Sequence, residues 1–220
     1  MIAWLRGCDF PPVEEADADG LLAVGGALHP EVLLTAYRRG IFPWSSAPVV
    51  TWWSPDPRAI FPLDTFREHS SVRRSIRRGG WRFTVDADFP AVMRGCAELS
   101  PRREGTWISE PFLAGYGELH RRGHAHSVEV WQGDDLIGGL YGVTIGGFFG
   151  GESMFHRTTD ASKAALGHLA RRLRACGFTL LDAQVMNPHL ATLGAIEIPR
   201  DDYLARLQAA LQIDASLTGA

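Results

Sequence analysis

Lysine is nearly missing from this chain: Lys163 stands alone, and the other side-chain cations apart from histidine are arginines. That scarcity reads as codon usage and carries no functional argument. Cysteine is also sparse. Cys8, Cys96 and Cys176 are odd in number, scattered and without a CxxC pair, which fits a reducing cytosol better than a disulfide scaffold. No apolar run approaches membrane-spanning length, and the start, MIAWLRGCDFPP, lacks a signal-peptide core, so a soluble cytoplasmic protein with no membrane partner is expected. Positive charge is not in excess. A net charge of -3 argues against a general nucleic-acid coat and confines any such contact to a local patch. Repeats, a Walker loop, a GxGxxG fingerprint, HExxH and a zinc-deaminase pattern are absent. The acidic stretch from Glu15 has Gly26 where a calcium loop needs its glutamate. His120, His124 and His126 lack a spaced partner and read as loop histidines, so no metal or cofactor is expected.

What is present is organised around residues 136–187. Two glycine- and aromatic-rich runs, Leu136–Thr144 and Gly147–Phe155, flank the turn Ile145-Gly146-Gly147 and predict a hairpin, with Glu152 near its end among apolar neighbours. Asp160 is a candidate N-cap for an Ala/Leu/Arg-rich helix that stops at Cys176-Gly177. Residues 179–186 alternate as a strand, placing Leu180, Asp182, Gln184 and Met186 on one face and Thr179, Leu181, Ala183 and Val185 on the core side. Two strand steps set Asp182 and Gln184 roughly 7 Å apart. A carboxylate and an amide on a central strand need partners. They either serve chemistry or bind loop amides or an arginine from elsewhere, and the residues alone divide these readings evenly. GESMF (residues 151–155) lacks the closing glycine of a nucleophile elbow, which removes Ser153 as a nucleophile.

The remainder reads as α+β: a small N-terminal lobe over residues 1–60 and a larger unit over 61–220. Residues 21–24 form a strand and 31–39 a helix stopped by Gly40. The Trp- and Pro-rich segments 41–44 and 52–58 read as rigid loops around a pocket or lobe interface. Helices are expected over 70–78, 90–99, 110–122 and 201–212, and strands over 84–86 and 127–132. Arg73, Arg74, Arg77 and Arg78 recur at four-residue spacing on the first of these helices, either as a phosphate-binding surface or as a merely solvated basic face.

The blocks GLLAVGGALHPEVLLTAYRRGIFPW, TWWSPDPRAI, EGTWIS, LHRRGHAHSVEVW, GGLYGV, GESMF, ASKAAL and LLDAQVMNPHLATLGAIEIPRDDYL run in order over most of the chain. Together they resemble the leucyl/phenylalanyl-tRNA–protein transferase family, with WWSPDPR and GESMF the most specific pair. His29, where the family often has serine, and a short tail are the departures. The resemblance implies transfer of leucine, phenylalanine or sometimes methionine from aminoacyl-tRNA to the N-terminal arginine or lysine of a protein, marking it for degradation. It also implies a larger lobe with a mixed sheet similar to the acetyltransferase (GNAT) fold, and a monomer is expected. In that family the GESMF glutamate and the LLDAQ aspartate and glutamine line the reaction centre, a role carried here to Glu152, Asp182 and Gln184. Trp44, Trp107, Tyr37 and Tyr116 are implied around the aminoacyl-adenosine end, where aromatics suit stacking. The arginine helix is then expected on the tRNA acceptor stem.

An aminoacyl ester is already activated, so the chemistry left is positioning, proton removal and oxyanion stabilisation. A cationic acceptor calls for a carboxylate. The roles read here are Glu152 holding the acceptor's cation, Asp182 orienting or deprotonating its amine, and Gln184 positioning Asp182 and the ester. Phe149, Met154 and Leu140 are candidates for the apolar donor slot, against a plain core role. Two rivals remain: an acetyl-CoA acetyltransferase, whose Q/R-x-x-G-x-G/A turn is missing, and a noncatalytic RNA-binding module, which leaves Glu152, Asp182 and Gln184 unexplained.

Overall fold

A computed structural model describes residues 2–45, 49–98 and 106–218. It has an α+β architecture with two mixed sheets. The smaller has order β1 (Ala3–Leu5), β2 (Leu21–Gly25), β4 (Val50–Trp53), β3 (Phe42–Ser45), and carries α1 (Pro30–Arg38). The larger has seven strands, ordered β11 (Ile196–Ile198), β5 (Arg58–Phe61), β10 (Leu180–Gln184), β9 (Phe148–His156), β8 (Asp135–Ile145), β7 (Ala125–Gln132), β6 (Arg82–Val85). Its neighbours are antiparallel except β9 and β10, which run parallel.

The large sheet is covered on both faces. On one lies α5 (Ala161–Ala175), whose Ala165, Leu166, Leu169 and Leu173 pack with Val128, Leu140, Phe149 and Leu181. On the other lie α1, α3 (Phe89–Ala97), α4 (Glu110–Arg121) and α7 (Arg200–Leu211), around Tyr37, Tyr116, Tyr141, Phe148, Leu180 and Tyr203. α2 (Ser70–Gly79) packs against α5, and the short α6 (Pro188–Thr192) follows β10. Two-sided burial is why β8 reads as a nearly unbroken apolar run.

The expected hairpin is present, turning at Gly146 with φ 58°, a value glycine adopts without a Cβ penalty. Several expectations need correction. Phe42–Ser45 and Val50–Trp53 are not loops but paired antiparallel strands; Phe42 and Trp52 are buried in the lobe core, and Trp44 is exposed. Arg58, read as the end of a loop, opens a fully buried strand (Arg58–Phe61) between β10 and β11, so sheet membership changes between Trp53 and Arg58. Asp160 precedes α5 with φ 70° and does not cap it; its carboxylate binds Lys163 and the Ser75 hydroxyl instead. His120 and His126 belong to α4 and β7. His126 Nδ1 lies 2.6 Å from Asp86, and His120 stacks on Phe89. Among the described residues no group of three His, Cys, Asp or Glu is arranged to hold a metal, and no helix is long and apolar enough to cross a membrane.

Candidate active site

β9 and β10 pair only as far as Gly150 and Asp182, and beyond that level they part. Each strand also carries one extra residue there. Tyr141 and Gly142 oppose Ser153 and Gly151, leaving Glu152 as the surplus residue of β9. Ile60 and Ala59 oppose Asp182 and Gln184, leaving Ala183 as the surplus residue of β10. Such bulges re-aim the side chains beside them. Gly142 is required at the first: a Cβ there would lie 2.3 Å from both the Gly150 carbonyl and the Phe149 ring.

Asp182 is 1 % exposed and held by four donors. Arg58 forks onto it, Nε to Oδ1 at 2.9 Å and Nη2 to Oδ2 at 2.6 Å. The Tyr203 hydroxyl donates to Oδ2 at 2.9 Å, and the Gln184 backbone N–H to Oδ1 at 2.8 Å. Burial pulls the Arg58 guanidinium pKa down, but the charge and hydrogen bonds of Asp182, together with Tyr203 and Glu152, outweigh that and leave it above its ordinary value. Arg58 also donates to the Gly40 carbonyl and lies between the rings of Phe42 and Tyr203, 4.7 and 4.4 Å from their centroids. It joins the small sheet, the large sheet and α7 at one point. The bend that turns Gln184 back onto Asp182 needs φ 64°, and it aims the Gln184 amide at Glu152 Oε1, 2.9 Å away.

Glu152 faces a different set. The Tyr37 hydroxyl lies 2.8 Å from Oε1 and the Tyr116 hydroxyl 2.8 Å from Oε2, both at hydrogen-bond distance, and the two phenol oxygens lie 2.5 Å apart. Burial raises the Glu152 pKa to about 7; the donors from Tyr37, Tyr116 and Gln184 restrain the rise, and the Asp182 charge adds to it.

A cavity of about 480 Å³ opens where the strands part. Glu152, Gln184 and Asp182 reach its wall; Leu140, Met154, Leu166, Leu169 and Leu181 line its α5 side, and Trp44 and Trp107 its N-terminal side. Seven expected residues therefore meet at one cavity: Trp44, Trp107, Leu140, Glu152, Met154, Asp182 and Gln184. Three do not line it. Phe149 is fully buried core on the α5 face, at a level of β9 still paired with β10, short of the opening. Tyr37 and Tyr116, 1 % and 0 % exposed, stand behind Glu152 and offer no ring face for stacking. Alternation was also too simple for β10: Val185 is 39 % exposed rather than core.

A second groove, about 590 Å³, runs between α2 and α5. Arg73 and Arg77 line it with Arg67 and, from α5, Arg171 and Arg174; Arg74 and Arg78 are exposed but point elsewhere. The expected four-arginine face is thus two pairs. The α5 wall was missed because Arg171 and Arg174 look like ordinary solvated helix positions until the two helices are packed together. Arg58 was missed because its partner Asp182 lies 124 residues away in sequence.

The family model described as leucyl/phenylalanyl-tRNA protein transferase matches residues 60–208, and the model of that family's N-terminal domain matches residues 26–56. A curated leucyl/phenylalanyl-tRNA–protein transferase of Shewanella denitrificans is 53% identical over 201 residues, 90% of this chain and 85% of that protein. One of Shewanella pealeana is 54% identical over the same shares. Among solved structures, the L-PGS of Bacillus licheniformis aligns at a TM-score of 0.44 and 14% identity, covering 76% of this chain and 54% of that one. With two family models in sequence order and relatives above half identity across nine-tenths of its length, the chain belongs to the leucyl/phenylalanyl-tRNA–protein transferase family.

Proposed function

We infer that the protein transfers leucine or phenylalanine, and in some settings methionine, from aminoacyl-tRNA to the N-terminal arginine or lysine of proteins, forming a peptide bond. The observation that carries this reading is Glu152: a carboxyl on the wall of a largely apolar cavity, hydrogen-bonded to two phenols and an amide and, among the described residues, to no cation. The donor side chain fits the slot of Leu140, Met154, Leu166, Leu169 and Leu181. Trp44 and Trp107, at the other side, suit the adenosine of the tRNA end. Glu152 takes the acceptor's cationic side chain, which presents the α-amine to the ester carbonyl. An α-amine has a pKa near ~8, so a useful fraction is neutral at cellular pH.

Asp182 acts as an orienting charge rather than a base. Both its oxygens are occupied, and its bond to the Gln184 N–H fixes the bend that aims the Gln184 amide. Parallel strands that part at the reaction site favour a GNAT-like reading of the larger unit. The break in sheet membership favours a division into N-terminal lobe and catalytic unit near residue 57.

The direct test is transfer of labelled leucine from leucyl-tRNA to peptides beginning with arginine or with alanine. Transfer to the first alone is expected; equal transfer to both would remove the role of Glu152. For the tRNA body, the α2–α5 groove suits the phosphate backbone. Arg73→Ala with Arg77→Ala, and separately Arg171→Ala with Arg174→Ala, should each flatten the salt dependence of tRNA binding by about 1.5 in log–log slope. An unaltered slope in both double variants sinks that groove as the RNA contact.

A further inference from the structure

Proton counting around Glu152 leads past the residue's role as an anchor. Three oxygen–oxygen contacts close a ring: Tyr37 Oη to Tyr116 Oη at 2.5 Å, Tyr37 Oη to Oε1 at 2.8 Å, and Tyr116 Oη to Oε2 at 2.8 Å. Two phenols beside a carboxylate own two hydroxyl protons. One contact must then hold no proton, and two oxygens at hydrogen-bond distance would face each other with lone pairs only. A third proton removes the conflict. With it on Oε2, Oε2–H donates to Tyr116, Tyr116 donates to Tyr37, and Tyr37 donates to Oε1. The Gln184 amide, which donates to Oε1 at 2.9 Å, marks that oxygen as the acceptor and Oε2 as the proton carrier.

We propose that resting Glu152 is a neutral carboxylic acid in a three-proton ring with Tyr37 and Tyr116, and that docking of a cationic acceptor expels the Oε2 proton to solvent. Tyr37 and Tyr116 are positioning residues in this scheme; neither touches the reacting atoms. The groups facing the ring agree. Tyr37 comes from α1, Tyr116 from α4 and Tyr141 from β8, all phenols; Asp182 on β10 pairs with Arg58 on β5, and its charge further favours the neutral acid. Burial holds both ring phenols far above their ordinary range, so the exchangeable proton is the one on Glu152. Its pKa of about 7 puts the exchange near neutrality.

The sign follows directly. Below about pH 7 the acid form dominates and must ionise before the acceptor is held, so acceptor affinity falls about tenfold per pH unit. Above it the dependence is flat, and donor affinity is indifferent throughout. The second half of the proposal rests on the acceptor reading given above; the first half does not.

Difference infrared spectroscopy of the full chain against Glu152→Gln, at about pH 6, tests both halves. A protonated-carboxyl stretch is expected in the resting protein, and it should bleach on saturation with an arginine-starting peptide. Tyr116→Phe and Tyr37→Phe each remove one hydroxyl from the ring and should shift the stretch and move its pH midpoint, with circular dichroism confirming the fold. Absence of the stretch, or an unmoved midpoint in both folded variants, overturns the ring. A stretch that survives saturation with bound peptide overturns the coupling. Lack of any transferase activity would instead strike the functional reading and leave the resting band unaffected.

Discussion

Arg58→Met is expected to cost about 3–5 kcal/mol of stability, because it strands the Asp182 carboxylate in a site that is 1 % exposed. For a domain of this size that lowers the melting temperature by roughly 6–20 °C. Much of the penalty belongs to the abandoned charge rather than to the lost attraction, so Arg58→Met combined with Asp182→Leu should recover most of it. Activity will not return with stability. Without Asp182 the Gln184 N–H loses its acceptor, the φ 64° bend relaxes, and the amide no longer reaches Glu152. Thermal unfolding of the single and double variants, read beside turnover, decides the matter. A single variant melting within about 2 °C of the parent means that Arg58 does not secure this junction.

Glu152→Gln, measured at about pH 8 where the parent carboxyl is ionised, should lower kcat/KM for arginine-starting peptides by about two to three orders of magnitude. The loss should sit in the acceptor KM and leave the donor KM unchanged. The amide is nearly isosteric and its oxygen still accepts from Tyr37 or Tyr116, so folding should survive and only the charge is removed. Steady-state kinetics with each substrate varied in turn provides the check. Equal losses in both KM values would place Glu152 in general cavity packing instead of acceptor recognition.

Much of this was legible in the chain. The β8–β9 hairpin, the α5 helix and the helix over residues 70–79 follow from glycine placement and periodicity, which are local properties. Glu152, Asp182 and Gln184 stood out because polar groups inside apolar strands demand partners. What stayed hidden was non-local. The partner of Asp182 comes from a strand that read as a Trp- and Pro-rich loop, and nothing near Arg58 in sequence reveals its neighbour. Phe149 and Met154 looked equivalent and both face α5, yet only Met154 lies beyond the level where β9 and β10 part and reaches the cavity. Tyr37 and Tyr116 were singled out through family resemblance and assigned a stacking surface they do not possess. Their phenol oxygens, not their rings, are turned to the site.

The bulge in β9 puts the two halves of the strand one residue out of phase. Before the bulge in β9, Phe148 belongs to the α1 side and Phe149 to the α5 side; after it, Met154 belongs to the α5 side and Phe155 to the other. Odd and even positions have exchanged roles across a single residue. Losing the surplus residue would therefore not invert the strand. Gly151 and Ser153 would follow Gly142 and Tyr141 one to one, and Met154 and Phe155 would keep their present faces. The extra residue is an insertion that the site uses, through the Glu152 carboxyl, and that the packing on either side of it does not need.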